Sequence, residues 1–153
     1  MKSSNNYGVR ELSAQNGYAS RDASELADSI KEHHMIYHIT SKKEWASAQE
    51  QGEYTAPSLQ TEGFIHCSTA AQVIHVANAF YRGRTDLVLL KLAEDRIKSQ
   101  VKWEAPAGPP ALGISESDSF PHIYGTINLD AVIAVLEITT PLDANFQPDT
   151  NGK

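Results

Sequence analysis

DLVLLKLA, at residues 86–93, is the stretch that most constrains how this chain can fold. Leucine and valine follow one another with only Lys91 between them, and a run of that kind reads as a buried strand. A buried strand needs other elements over it. The 153 residues, 41% hydrophobic and 21% charged, suffice for one domain with one core.

The flanking patterns supply the covering elements. MIYHIT (35–40) reads as a strand, and SKKEWASAQEQG (41–52) as a helix. Ser41 and Glu44 form a capping signature there, and Gly52 is placed to stop it. GFIHC (63–67) reads as a strand, with Ser68 as N-cap of the helix TAAQVIHVANAFY (69–81). Val73, Val76, Ala77 and Phe80 give that helix an apolar stripe. QVKWE (100–104), PHIYGTI (121–127) and AVIAVLEIT (131–139) are strand-like, the last two joined by Asn128-Leu129-Asp130 as a hairpin turn. Residues 53–62 and the proline- and glycine-rich 105–119 read as loops, and a loop as long as the second is often functional. Helices come early and strands bunch late, which is the order of an α+β fold. The expected organisation is a flexible extension over 1–34 with a short helix at 22–33, a compact domain over 35–141, and a frayed tail over 142–153.

Composition narrows the function. A net charge of −6 does not suit sequence-independent nucleic-acid binding, but leaves room for a pocket that holds a phosphate-bearing small molecule. No apolar run approaches the roughly 20 residues of a membrane span, and the N-terminus lacks a secretory h-region. The single cysteine, Cys67, fits a reducing cytoplasm. No H-x-H, H-E-x-x-H or C-x-x-C spacing occurs, so no metal is expected.

Three of the six histidines, His38, His66 and His122, lie in or at the ends of strands between apolar neighbours. Strands that each present an imidazole can converge on one cleft, where the ring can donate or accept a proton near neutral pH. Cys67 directly follows His66, so the two point to opposite faces of a strand, and the thiol reads as core. Glu104 ends its strand at the mouth of the long loop and is a candidate acid or base. His38-Ile39-Thr40 and His66-Cys67-Ser68 are both H-x-[S/T]. Residues i and i+2 share a strand face, which makes the two-histidine phosphoesterases one reading.

The chain also resembles a known family. IYHIT with Trp45 in the next helix, then GFIHCS, then Trp103-Glu104, then FPHIYG followed by Asn128 to Val132, resemble in order the family called domain of unknown function 952. The resemblance implies a compact ADP-ribosyltransferase-like fold, with split, mostly antiparallel sheets and two main helices around a nicotinamide-dinucleotide cleft. It implies NAD or a related nucleotide as ligand, with ADP-ribose or phosphate transferred or hydrolysed. His38 would hold a ribose hydroxyl, and His66, Ser68, Thr69 and Tyr124 would line the pocket. The ADP-ribosyltransferase pattern carries a catalytic glutamate on a late strand, whereas FPHIYG carries none; His122 with Glu104 are therefore the acid–base candidates. A non-catalytic nucleotide-binding module on the same scaffold is the alternative.

Overall fold

The computed structural model describes residues 35–148, all within one compact unit that begins at Met35. The expected extension over 1–34, its helix at 22–33 and the last five residues lie outside the described residues. The elements run β1 Met35–Ser41, α1 Lys42–Gln51, β2 Glu53–Tyr54, α2 Pro57–Thr61, β3 Ile65–His66, α3 Ala70–Phe80 and β4 Leu87–Ala93. After a 3-10 turn at Glu94–Arg96 come β5 Gln100–Glu104, β6 Phe120–Tyr124 and β7 Ile127–Asn128. A second 3-10 turn at Leu129–Ala131 leads into β8 Val132–Ile138.

The apolar run becomes the centre of a three-stranded sheet ordered β8–β4–β1. Both of its pairings are antiparallel, with Leu90 opposite His38 on one side and Val135 on the other. Strand alternation then assigns the layers. Ile36, Val88, Leu90 and Leu92 share one face and pack with Ala48, Tyr54, Ile65, Cys67, Ile123 and Ile127. Tyr37, Ile39, Leu87 and Leu89 share the other and pack with Val73 and Ala77 of α3 and with Ile138. The central sheet is thus covered by a helix on one face and by α1 and a second sheet on the other. That second sheet, β3–β6–β5, is also antiparallel. The fold is α+β.

Helix α1 is built as its signals require. Ser41 Oγ accepts from the Glu44 N–H (3.0 Å), and Gly52 ends the helix at φ 90°, its N–H on the Ala48 carbonyl. Only glycine adopts that backbone without strain. Glu44 does not reach back to the cap; its carboxylate accepts from Thr40 Oγ1 (2.7 Å) instead. Beyond Pro141, where composition suggested fraying, Leu142 and Phe146 pack on the helix-side cluster. The Leu142 N–H donates to Asn78 Oδ1 (2.6 Å).

Several expectations need correction. Ser68 does not cap α3. Thr69 does, through a full capping box in which its hydroxyl accepts from the Gln72 N–H and Gln72 Oε1 accepts from the Thr69 N–H. Ser68 is held one residue earlier, exchanging both backbone hydrogen bonds with Tyr37, and this extended pairing moves the cap on by one. Phe80, the last residue of α3, leaves the apolar stripe and is 65% exposed. The hairpin of 121–127 with 131–139 does not form. β7 pairs with β2, the 3-10 turn redirects the chain, and β8 finds its partner in β4. Residues 53–62 are not wholly loop, since Pro57 opens a one-turn helix at a position where its missing N–H costs nothing.

Candidate functional site

The second sheet sets His66 and His122 directly opposite one another as paired residues of β3 and β6. Their rings meet edge to face with centroids 5.6 Å apart. The Phe64 ring stacks on His122 at 4.1 Å and touches those of His66 and Tyr124. Each histidine has a carboxylate of its own. His122 Nδ1 lies 2.7 Å from Glu104 Oε1, brought there because β5 runs beside β6, and the Tyr124 hydroxyl donates to the same oxygen at 2.7 Å. His66 Nε2 lies 3.0 Å from Glu62 Oε1.

The environments of the two pairs differ. The His122 side chain is 3% exposed, whereas those of His66 and Glu62 are 45% and 44% exposed. The hydrogen bond from His122, then that from Tyr124, holds the Glu104 carboxyl below its ordinary range, so it is ionised at neutral pH. The same bond pushes the Tyr124 phenol up. A neutral His122 whose Nδ1–H donates to this carboxylate leaves Nε2 as an acceptor, with no hydrogen-bond partner among the described residues.

His122, His66, Glu62 and Ser68 line one side of a cavity of about 360 Å³. Much of the rest is apolar: Val76, Phe80 and Tyr81 from α3 and its end, Phe120, and Pro106, Pro109, Pro110 and Ile114 from the long loop. Among the described residues no lysine or arginine lines it. The loop that composition marked as functional thus supplies the wall facing the histidines. Ser68 is buried at the cavity. Thr69 is not a lining residue and is committed to its cap.

His38 lies elsewhere. It lines a second cavity, of about 320 Å³, with Thr40, Glu44, Tyr54, Ser58 and Arg84; only His66 and Tyr81 are shared with the first. Both of its ring nitrogens are engaged. Nδ1 donates to the His66 carbonyl (2.6 Å) and Nε2 lies 2.8 Å from the Tyr54 hydroxyl. The Tyr54 hydroxyl also lies 2.8 Å from Thr40 Oγ1, whose own proton goes to Glu44, so the single phenolic proton serves either His38 Nε2 or Thr40 Oγ1 at any one time. Burial pulls the His38 pKa down to about 4, so the ring is neutral at physiological pH. A ligand hydroxyl at His38 would have to displace one of these partners. His38 and Thr40 do share a face, as the H-x-T spacing implies, and Tyr54 occupies the space between them. Arg84 is held by Asp86 through two hydrogen bonds of 2.8 and 2.9 Å.

Cys67 packs in the core, and burial pushes its thiol pKa up, away from nucleophilic use. Among the described residues no group of His, Cys, Asp and Glu is placed to hold a metal ion, and no helix is long and apolar enough to cross a membrane. The structure brings His66, His122, Glu104, Tyr124 and Ser68 into one neighbourhood, and sets His38 behind the His66 backbone. Sequence reasoning missed Glu62 and Tyr54. Glu62 stands four residues before His66 but reaches it across the Gly63 turn rather than along a helix, and Tyr54 reaches His38 from another strand.

The profile of the family described as protein of unknown function (DUF952) matches residues 39–135, more than half of the chain. The chain belongs to this family. Among solved structures it is similar to protein CC0527 from Caulobacter crescentus, with 31% identity over 74% of this chain and 91% of that one, at a TM-score of 0.60 in the crystal. A double-methionine mutant of that protein gives the same values, and its solution structure gives a TM-score of 0.58 over 75% and 91%. These neighbours are themselves of unknown function. No curated protein matches the chain. All the motifs that carried the family resemblance fall within the matched region, apart from the first residues of IYHIT.

Proposed function

We propose that this protein is a small-molecule hydrolase or transferase in which His122 is the general base. The observation that carries this reading is the 2.7 Å bond between His122 Nδ1 and Glu104, which leaves Nε2 without a partner among the described residues on a side chain that lines the first cavity. Glu104 and Tyr124 fix the tautomer, and Phe64 fixes the ring plane. Nε2 then takes a proton from water or an acceptor hydroxyl as that oxygen attacks the bound ligand. The Ser68 hydroxyl is the neutral donor available to the ligand. With no lysine or arginine on its wall among the described residues, and with the carboxylates of Glu62 and Glu104 bonded to its histidines, the cavity suits an uncharged or cationic reacting group on an apolar body.

NAD is the second reading, and the adjoining cavities favour it, since a two-part ligand could occupy both across His66 and Tyr81. On the ADP-ribosyltransferase-like reading of the fold, the nicotinamide end would enter the apolar cavity. The bond from ribose to the nicotinamide nitrogen would break with its electron pair leaving on nicotinamide, while His122 deprotonates the acceptor. Arg84, which lines the second cavity, is engaged by Asp86 and would have to leave it to meet the diphosphate.

A two-dimensional NMR titration of labelled protein with NAD tests the ligand. Shifts clustered at His66, Ser68 and His122 support NAD, and no shift at millimolar NAD removes it while leaving the acid–base reading in place. Turnover tests the base: Glu104→Gln is expected to lower it by roughly 10²-fold with binding retained. Full activity in that variant would remove the pair from the mechanism.

A further inference from the structure

His66 repeats the arrangement of His122 in mirror order. His122 holds its carboxylate on Nδ1 and leaves Nε2 without a partner, whereas His66 holds Glu62 on Nε2 and leaves Nδ1 without one among the described residues. The two rings are neighbours, and both line the same cavity. The His122 ring is buried, whereas the His66 ring is open to solvent. A reaction that removes a proton at one atom and delivers one at another needs two such groups, one of which can exchange its proton with water between turnovers.

We propose that His66, oriented by Glu62, is the general acid that protonates the leaving group while His122 acts as base. This rests on the reading of His122 above and narrows the substrate class to uncharged compounds whose leaving group is an alcohol, a group that departs slowly unless protonated. For an uncharged ester, water gives a proton to His122 Nε2 as its oxygen bonds to the carbonyl carbon. The bond from that carbon to the leaving oxygen then breaks. Its electron pair stays on the oxygen, and His66 Nδ1 supplies the proton that makes it an alcohol. Ester and water become acid and alcohol. The enzyme ends with a proton gained at His122 and one lost at His66, and solvent restores both. The apolar wall of Phe80, Phe120 and the loop prolines holds the body of the substrate.

The test compares two esters of one acid on the full chain. p-Nitrophenyl acetate releases a phenolate that needs no proton, and benzyl acetate releases an alcohol that does. His66→Gln is expected to lose roughly 10²-fold on benzyl acetate and only a few-fold on p-nitrophenyl acetate. His122→Gln is expected to lose both. Glu62→Gln, an exposed change that leaves the fold intact, should reproduce the benzyl-selective loss in weaker form. Equal losses on the two esters in His66→Gln, or none on benzyl acetate, would overturn the role of His66 and leave the base reading standing. Hydrolysis of neither ester by the wild type, or of both by His122→Gln, would overturn the base reading and this inference with it. An independent readout needs no substrate: nitrogen-15 spectra of neutral His66 should show the proton on Nε2, and a proton on Nδ1 would contradict the assigned orientation.

Discussion

A single buried imidazole shows how far one residue's surroundings decide its use. The family resemblance implies His38 as a ribose ligand. In the folded chain its two nitrogens hold together β1, β2 and β3 through the His66 carbonyl and Tyr54. Its pKa, lowered by burial from 6.5 to about 4, has a consequence for stability. The folded-state value lies below the unfolded one, so unfolding takes up a proton in acid. The contribution of the neutral ring is fully present above about pH 6.5 and is lost as pH falls toward about 4. The loss amounts to roughly 3 kcal/mol from this ring. Urea unfolding across that range should show a shallower acid dependence in His38→Gln than in the wild type, and parallel curves would contradict the burial argument. Tyr54→Phe removes the hydroxyl between His38 and Thr40 and should cost about 1–3 kcal/mol by the same measurement. The residues that composition and position singled out for chemistry fared unevenly. Glu104 and His122 do meet, because β5 and β6 pair in register, yet nothing in the sequence told that Glu62 would meet His66.

Elements were legible where their signals are local. Ser41 and Gly52 bracket α1 as read, since capping and the left-handed stop depend on a few adjacent residues. The start of α3 was misread by one residue for a reason that is not local. Ser68 and Thr69 are equally good caps in isolation, and the backbone pairing of Ser68 with Tyr37 decides between them. Thr69→Ala should therefore destabilise the protein by about 1 kcal/mol, measured as a shift in urea midpoint at constant slope. Ser68→Ala should not weaken the cap. The hairpin expected around Asn128 failed for a related reason. Two strand-like runs joined by a turn-like tripeptide satisfy the local pattern, but β7 is claimed by β2 and β8 by β4, partners more than 30 residues away in sequence.

At the scale of the whole molecule, the run at 86–93 did what its composition required and became the middle strand, buried on both faces. Leu90, fully buried against the second sheet, should cost about 2–5 kcal/mol on substitution by alanine. Ile133 on the solvent side of β8, 42% exposed, should tolerate threonine within about 0.5 kcal/mol. Denaturant titration of the two variants checks both, and similar costs would mean the layers are misassigned. The sequence by itself determined the α+β class, the central strand, two main helices and the family, because these follow from local periodicity, caps and ordered motifs. Only the tertiary structure decided which strands pair, and so which side chains share a cavity. Strand pairing joins residues distant in the chain through backbone hydrogen bonds that carry no side-chain signature. That pairing set His66 beside His122, tied Glu104 to His122, and placed His38 in a second cavity that shares His66 and Tyr81 with the first.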